Sequence, residues 1–250
     1  MTSIEISEEA GVRYLHFGSR WIQGAMQIAR PWSLELDYTR AMMTALLLRH
    51  DRGWPRTVLQ IGLGAASITK FLHRNKARAK LVVVEISPAV VTAAFQFFKL
   101  PDNDARLAIE IGDGHAYMAA TRRQFDLILV DGFNAKGRAG MLDTLPFYCN
   151  CRARLAADGM LVTNLLTRRG DATPSVERLR TAFDDRVLAL PPCDAGNIVI
   201  LSAVGAPIRV AFDELRAAAR KLKADTGLNL LPAVARLVAM RAGSGDRVTL

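Results

Sequence analysis

The pattern of apolar and polar positions changes character near residue 57. Before it, residues 3–30 alternate loosely, with turn signals at EEAG (8–11) and FGSR (17–20). The segments YLHF and WIQGAMQI read as short strands of a small N-terminal β-unit spanning residues 1–33. Residues 34–49, LELDYTRAMMTALLLR, place Leu36, Met43, Leu46 and Leu47 at helical spacing and predict one helix, broken by DRGWP.

From residue 57 short apolar runs alternate with helical ones. TVLQIG, KLVVVEI, RLAIEIGD, FDLILVDG and MLVTNLL read as five strands, the last preceded by Gly159. Between them SITKFLHRN, AVVTAAFQFFKL, HAYMAATR and TLPFYCNCRARLA read as helices, the second opened by Ser87 and Pro88 in the N-cap and first-turn positions. A helix over 175–183 follows. RVLAL and NIVILSAV, joined by a turn at PPCDAGN, then form a hairpin, and two helices lie within 210–241. This rhythm predicts an α/β fold with a parallel sheet covered on both faces. The sixth and seventh strands pair antiparallel at its edge, as in a Rossmann-like, class I methyltransferase-type seven-stranded sheet. Residues 34–250 form the nucleotide-binding domain in this reading.

Composition narrows the setting. The chain has 250 residues, half of them apolar, enough for a sizeable core. No apolar run reaches the length of a membrane span, and the acidic, polar start MTSIEISEEAG is not a signal peptide. Cys149, Cys151 and Cys193 are an odd set with no histidine at metal-ligand spacing, and read as free thiols of a cytoplasmic protein. His16, His50 and His73 are scattered, so no metal site is expected. The net charge of +9 comes from dispersed residues, among them Lys76, Arg78 and Lys80, and Arg216, Arg220, Lys221 and Lys223 near the C-terminus. Solvated helix faces account for these better than a nucleic-acid surface does.

Candidate chemistry gathers at strand ends. IGLGAAS (61–67) joins a strand to a helix, and Gly62 and Gly64 permit a tight turn and close approach of backbone to ligand. Glu85 ends the next strand, 21 residues after Gly64, where a carboxylate can accept from both ribose hydroxyls. The third glycine of a nicotinamide-type loop is absent; Ser67 stands there. Asp113, in IGDGHAYM with Gly114, is placed to meet an adenine amino group, and Asp131 ends the fourth strand. In an open α/β sheet this edge binds ligands, and the set points to an adenine nucleoside. His115 reads as a partly exposed helix-start residue, and packing explains Tyr148 at least as well as binding does.

These residues resemble the spermidine synthase (polyamine aminopropyltransferase) family, especially its bacterial spermidine synthase-like branch, over residues 20–165. VLQIGLGAASITKFL is similar to its glycine-rich loop, VVVEIS to its ribose motif V-E-I-D, and IGDGHAYM to I-G-D-G-x-x-F-M. VDGFNAKGRAGMLDTLPFY resembles D-S-S-D-P-x-G-P-A-x-x-L-x-x-x-x-F-Y. The resemblance implies aminopropyl transfer from decarboxylated S-adenosylmethionine to a small amine, releasing 5′-methylthioadenosine, without a prosthetic group and in a homodimer. It implies Asp131 as catalytic acid–base residue and Gln27, Gly62, Gly64, Glu85, Asp113 and Gly114 as the donor site. Tyr38 and Asn134 would face the acceptor.

Two positions depart from that pattern. Ala65 stands where the family's loop has an Asp that holds the aminopropyl ammonium, and Asn134 replaces the second Asp of D-S-S-D. Lys136 and Arg138 add positive charge nearby. A less acidic cleft would favour a monoamine, a neutral nucleophile or an anionic group over a diamine. Ala65 would also weaken selection against the carboxylate of intact S-adenosylmethionine. Two other readings stand beside aminopropyl transfer: a methyltransferase on the same scaffold, and a non-catalytic nucleotide- or RNA-binding protein.

Overall fold

Consecutive residues of the central strands feed two different cores. In the computed structural model, Leu81 and Val83 face one apolar cluster, while Val82 and Val84 face another. Leu127 and Leu129 alternate in the same way with Ile128 and Val130. A strand buried on both faces must be apolar at every position, which is why these segments read as unbroken runs rather than alternating ones. The structure describes residues 3–18, 21–49, 53–134, 136–166, 171–193, 196–240 and 245–250.

Three antiparallel strands, β1 (Ile4–Glu9), β2 (Val12–Phe17) and β3 (Ile22–Gln27), make the N-terminal sheet. The central sheet contains β4 (Thr57–Ile61), β5 (Lys80–Glu85), β6 (Leu107–Ile111), β7 (Phe125–Val130), β8 (Leu155–Leu166), β9 (Val187–Ala189) and β10 (Asn197–Ala203). Their order is β6-β5-β4-β7-β8-β10-β9. The first five are parallel, and β10 runs antiparallel to both β8 and β9. The predicted sheet and its edge hairpin are therefore present.

Helices α3 (Ser67–Asn75) and α4 (Pro88–Phe97) pack on one face, as do α8 (Phe212–Thr226) and α9 (Leu231–Met240). Helices α5 (Gly114–Ala120), α6 (Leu145–Ala153) and α7 (Thr173–Phe183) cover the other. Ser87 caps α4, its hydroxyl accepting from the Val90 N–H, with Pro88 in the first turn.

The single helix expected over 34–49 is instead two short ones, α1 (Asp37–Met42) and α2 (Ala45–Leu48). Bonds from Met43 to Arg40, Thr44 to Ala41 and Leu46 to Met43 tighten the join to a three-residue repeat. Residues 41–48 are all buried, so no apolar stripe fixed the pitch. Strand β8 starts at Leu155, within the segment expected to be helical, and its register against β7 shifts between Phe125 and Leu127. A small sheet pairs β11 (Arg209–Ala211) with β12 (Arg247–Thr249), which local patterning did not reveal. The turn signals at 17–20, 51–55 and 191–197, and His50, lie partly or wholly outside the described residues.

A third apolar cluster joins the N-terminal sheet to the central domain. Leu15 and Met26 pack with Ala65 of the glycine loop and Phe98 at the end of α4. A Cβ on Gly24 would lie 2.6 Å from the Ala65 Cβ, so only glycine lets β3 sit this close. The Ser67 hydroxyl donates to the Ala25 carbonyl at 2.9 Å across the same joint.

Candidate active site

Each parallel strand delivers one functional group to the same edge. After β4, Gly62 turns with φ +91°, and its Cα faces the Asp131 carbonyl so closely that a Cβ would lie 2.1 Å from the oxygen. The backbone closes this turn from both sides: the Gly62 N–H donates to Val84 and the Asp131 N–H to Ile61, each at 2.9 Å. Below it, the buried Gln60 donates to the Gly62 carbonyl at 2.7 Å and accepts from Thr69 at 2.8 Å, bracing the loop against α3.

The cavity over this edge has a volume of about 530 Å³, of the order of small-molecule sites. Gly62, Gly64, Glu85, Asp113, Gly114, Asp131, Tyr38 and Asn134 all line it. Glu85 is 7% exposed, and its carboxylate accepts from the Leu63 N–H at 2.8 Å and the Ser87 N–H at 2.9 Å. Burial pushes its pKa up, against the pull of those N–H donors. Asp113 caps α5, accepting from the Ala116 N–H at 2.8 Å, while facing the cavity. Gly114 is forced by Ile61, whose Cγ2 would be 2.3 Å from an added Cβ.

Asp131 lies at the centre. Its Oδ1 accepts from the Asn164 side-chain amide at 2.8 Å, and Asn164 in turn accepts from Asn197 at 2.9 Å. The Tyr38 hydroxyl donates to the same carboxylate. Removal from bulk water raises the Asp131 pKa, the bonds from Asn164 and Tyr38 oppose that rise, and the nearby Glu85 charge adds to it. The Tyr38 phenol is held well above its ordinary value by burial and by Asp131, so it stays a donor. A half-sequestered carboxylate with two fixed donors and one open side is suited to accept a proton from a bound ligand.

Several expected residues sit otherwise than expected. Gln27 does not line the cavity; its amide oxygen accepts from Arg30 at 3.0 Å. Gln23 lines the cavity instead; it is the extra residue where β3 bulges, with Gly24 opposite Leu15 and Ile22 opposite His16. Asn134 is on the wall, but its Oδ1 accepts from the backbone N–H groups of Lys136 at 2.9 Å and Arg138 at 3.1 Å, closing its own loop. Ala65 is 3% exposed and faces Gly24 rather than the cavity, so its bearing on the donor's carboxylate is not through direct contact. Tyr148 is buried and donates to Asp143 at 2.8 Å, whose other oxygen accepts from Ser175 and Arg178 at 2.7 Å each. His115 lines the cavity and stacks on Phe147 with ring centroids 6.3 Å apart.

Sequence reasoning missed Asn164 and Asn197. The available signal was an amide inside an apolar strand, in MLVTNLL and at the head of NIVIL, where a buried polar group needs a partner. Among the described residues no cluster of His, Cys, Asp or Glu could hold a metal ion, and no helix is long and apolar enough to cross a membrane.

Sheet order, glycine turn and strand-end acids define a Rossmann-like domain of the class I methyltransferase type, with its ligand cavity at the carboxyl edge. Residues 35–167 match the spermine/spermidine synthase domain model. The polyamine aminopropyltransferase of Chromobacterium violaceum is 36% identical over 237 residues, covering 95% of this chain and 90% of that protein. That of Neisseria meningitidis serogroup A is 34% identical over 247 residues, covering 99% and 93%. The crystal structure of a probable spermidine synthase from Corynebacterium glutamicum superposes with a TM-score of 0.72 at 17% identity, covering 88% of this chain and 83% of that one, which shows a shared fold. The chain belongs to the spermine/spermidine synthase family.

Proposed function

We propose that this protein is an aminopropyltransferase that moves the aminopropyl group of decarboxylated S-adenosylmethionine to an amine, releasing 5′-methylthioadenosine. The observation that carries the proposal is the placement of Asp131, held by Tyr38 and Asn164, on the same cavity as the glycine turn and Glu85. In this reading Gly62 and Gly64 let the backbone approach the nucleoside. Glu85 accepts from the ribose hydroxyls with the lone pairs that Leu63 and Ser87 leave open. Asp113 and Gly114 flank the adenine.

The reaction asks little of covalent chemistry. The lone pair of a neutral amine forms a bond to the methylene carbon beside the sulfonium, and the carbon–sulfur pair returns to sulfur, giving a thioether. One proton is released per turnover, lost by the incoming ammonium before it attacks, and the secondary ammonium formed keeps its charge. A free primary ammonium has a pKa of about 10, so a nearby carboxylate that takes a proton raises the fraction of competent nucleophile. Asp131 is that acceptor, and Tyr38 and Asn164 fix its orientation.

The test is product analysis. Purified protein with decarboxylated S-adenosylmethionine and a mixture of amines is expected to release 5′-methylthioadenosine, detected by mass spectrometry. Release of S-adenosylhomocysteine from intact S-adenosylmethionine, with no methylthioadenosine, would show methyl transfer instead.

A further inference from the structure

Gln60 interrupts the apolar run of β4 one residue before the strand ends. Val58 faces the core cluster that α3 packs against, while Leu59 and Ile61 face the other. Strand alternation therefore points Gln60 at α3. At 3% exposed, its amide must find partners on that face.

It finds two. Its oxygen accepts from the Thr69 hydroxyl of α3 at 2.8 Å, and its nitrogen donates to the Gly62 carbonyl at 2.7 Å. The same peptide unit, Gly62–Leu63, points its N–H the other way, to Glu85 Oε2 at 2.8 Å. A relay thus runs from α3 through Gln60 and one peptide plane to the carboxylate that ends β5. The Ser87 N–H holds the other oxygen of that carboxylate at 2.9 Å.

Glycine on one side lets such a peptide plane turn over at little steric cost. Turned over, it would aim a carbonyl oxygen at Glu85, two acceptors with no proton between them. The Gln60 nitrogen requires the carbonyl on its own side, and so keeps the N–H on the side of Glu85.

We propose that Gln60 is a positioning residue for the donor nucleoside: by fixing the Gly62–Leu63 peptide it holds the Glu85 carboxylate ready for the ribose hydroxyls. This role presupposes the nucleoside site of the aminopropyl-transfer reading. Gln60 does not line the cavity and acts through the peptide. A site that is correctly set only part of the time binds more weakly by that fraction, and a bound ligand selects the set geometry. Loss of the Gln60 bond therefore weakens donor binding and spares the step that follows. It also has a pH signature. Burial pushes the Glu85 pKa up and the Leu63 N–H opposes that rise, so a peptide that turns away lets the pKa climb further. Among the described residues, Asp37, Tyr38, Asp113, His115, Asp131 and Arg138 are the other ionisable groups on the cavity, and Gln60→Leu leaves all of them in place.

The experiment is calorimetric titration of wild type and Gln60→Leu with methylthioadenosine from about pH 5 to 8, with steady-state kinetics on decarboxylated S-adenosylmethionine. Gln60→Leu is expected to raise the dissociation constant and the donor KM about tenfold while kcat and the amine KM stay within about twofold. The acid limb of binding is expected to move to higher pH. Thr69→Val removes the other partner of Gln60; it is expected to shift binding the same way by less and to add nothing in the Gln60→Leu background. It carries the same test if Gln60→Leu does not fold. Unchanged binding in a folded but less stable variant overturns the proposal. So does binding weakened by one factor at every pH, which is loosening that bypasses Glu85. A wild type that binds no methylthioadenosine removes the nucleoside site and the proposal with it. A wild type that binds it but transfers no aminopropyl group overturns the transfer reading alone, and the binding comparison still decides the role of Gln60.

Discussion

The Asn164 side-chain amide donates to Asp131 at 2.8 Å from the neighbouring strand, and its own oxygen is fixed by Asn197. The central acid is thereby tied to two strands beyond its own. Burial raises its proton affinity, and an amide that carries no charge and does not titrate opposes that rise.

Replacing that amide tests its role. Asn164→Leu keeps the branched shape and removes the bond that holds the Asp131 pKa down against burial. The acid limb of the kcat/KM–pH profile is expected to move to higher pH, with kcat/KM at neutral pH down about tenfold or more. A limb that stays in place would show that Asn164 only packs.

Asp131→Asn removes the proposed proton acceptor and keeps the shape. Turnover is expected to fall by about 10²–10⁴ while methylthioadenosine still binds, measured by calorimetry. Stability should respond in the other direction. A carboxyl whose folded pKa is raised holds its proton more tightly in the folded state, so stability falls as pH rises from the unfolded pKa through the folded one. Urea midpoints above that window should therefore be equal or higher in Asp131→Asn than in the wild type.

Lys70 offers a contrast in sign. It is fully buried on α3, its ammonium donating to the Phe98 carbonyl at 2.6 Å, and burial lowers its pKa to about 7. Between about 7 and the unfolded value of about 10.4 the unfolded chain binds the extra proton, so stability rises with pH across that range, by up to about 5 kcal/mol. Lys70→Met is expected to flatten this slope and to be more stable than wild type at pH 6.5. Parallel urea titrations at pH 6.5 and 9 with an unchanged difference between the two proteins would refute the assignment.

Ala65→Asp would place a carboxylate among Leu15, Met26 and Phe98, against Gly24. The expected result is a loss of about 3 kcal/mol or more in unfolding free energy, from burying an unpaired charge. If instead the variant is as stable as wild type and changes the ratio of affinities for the two donors, residue 65 reaches the ligand after all.

Much of the fold was legible because the central strands are buried on both faces and their turns carry strong signals, such as Ser87-Pro88 and the Gly62 turn. Glu85, Asp113 and Asp131 were legible because strand ends of a parallel sheet share one edge. What stayed hidden had physical causes. Residues 41–48 are buried on every side and carried no helical phase. The pairing of Val210 with Val248 joins segments far apart in the chain, which no local pattern encodes. Gln27 and Asn134 were assigned through resemblance alone; here their amide oxygens serve Arg30 and the 134–138 loop. Asn164 was hidden by the apolar string around it.

The sequential layout of the cavity has an evolutionary consequence. In the proposed reading the residues that would meet the nucleoside fall within 62–114, and the strand residues of the cavity beyond Asp131 within 164–197. Substitutions in the later stretch can explore new nucleophiles while the inherited donor grip stays untouched. A lineage built on this plan can diversify one partner of the reaction at a time.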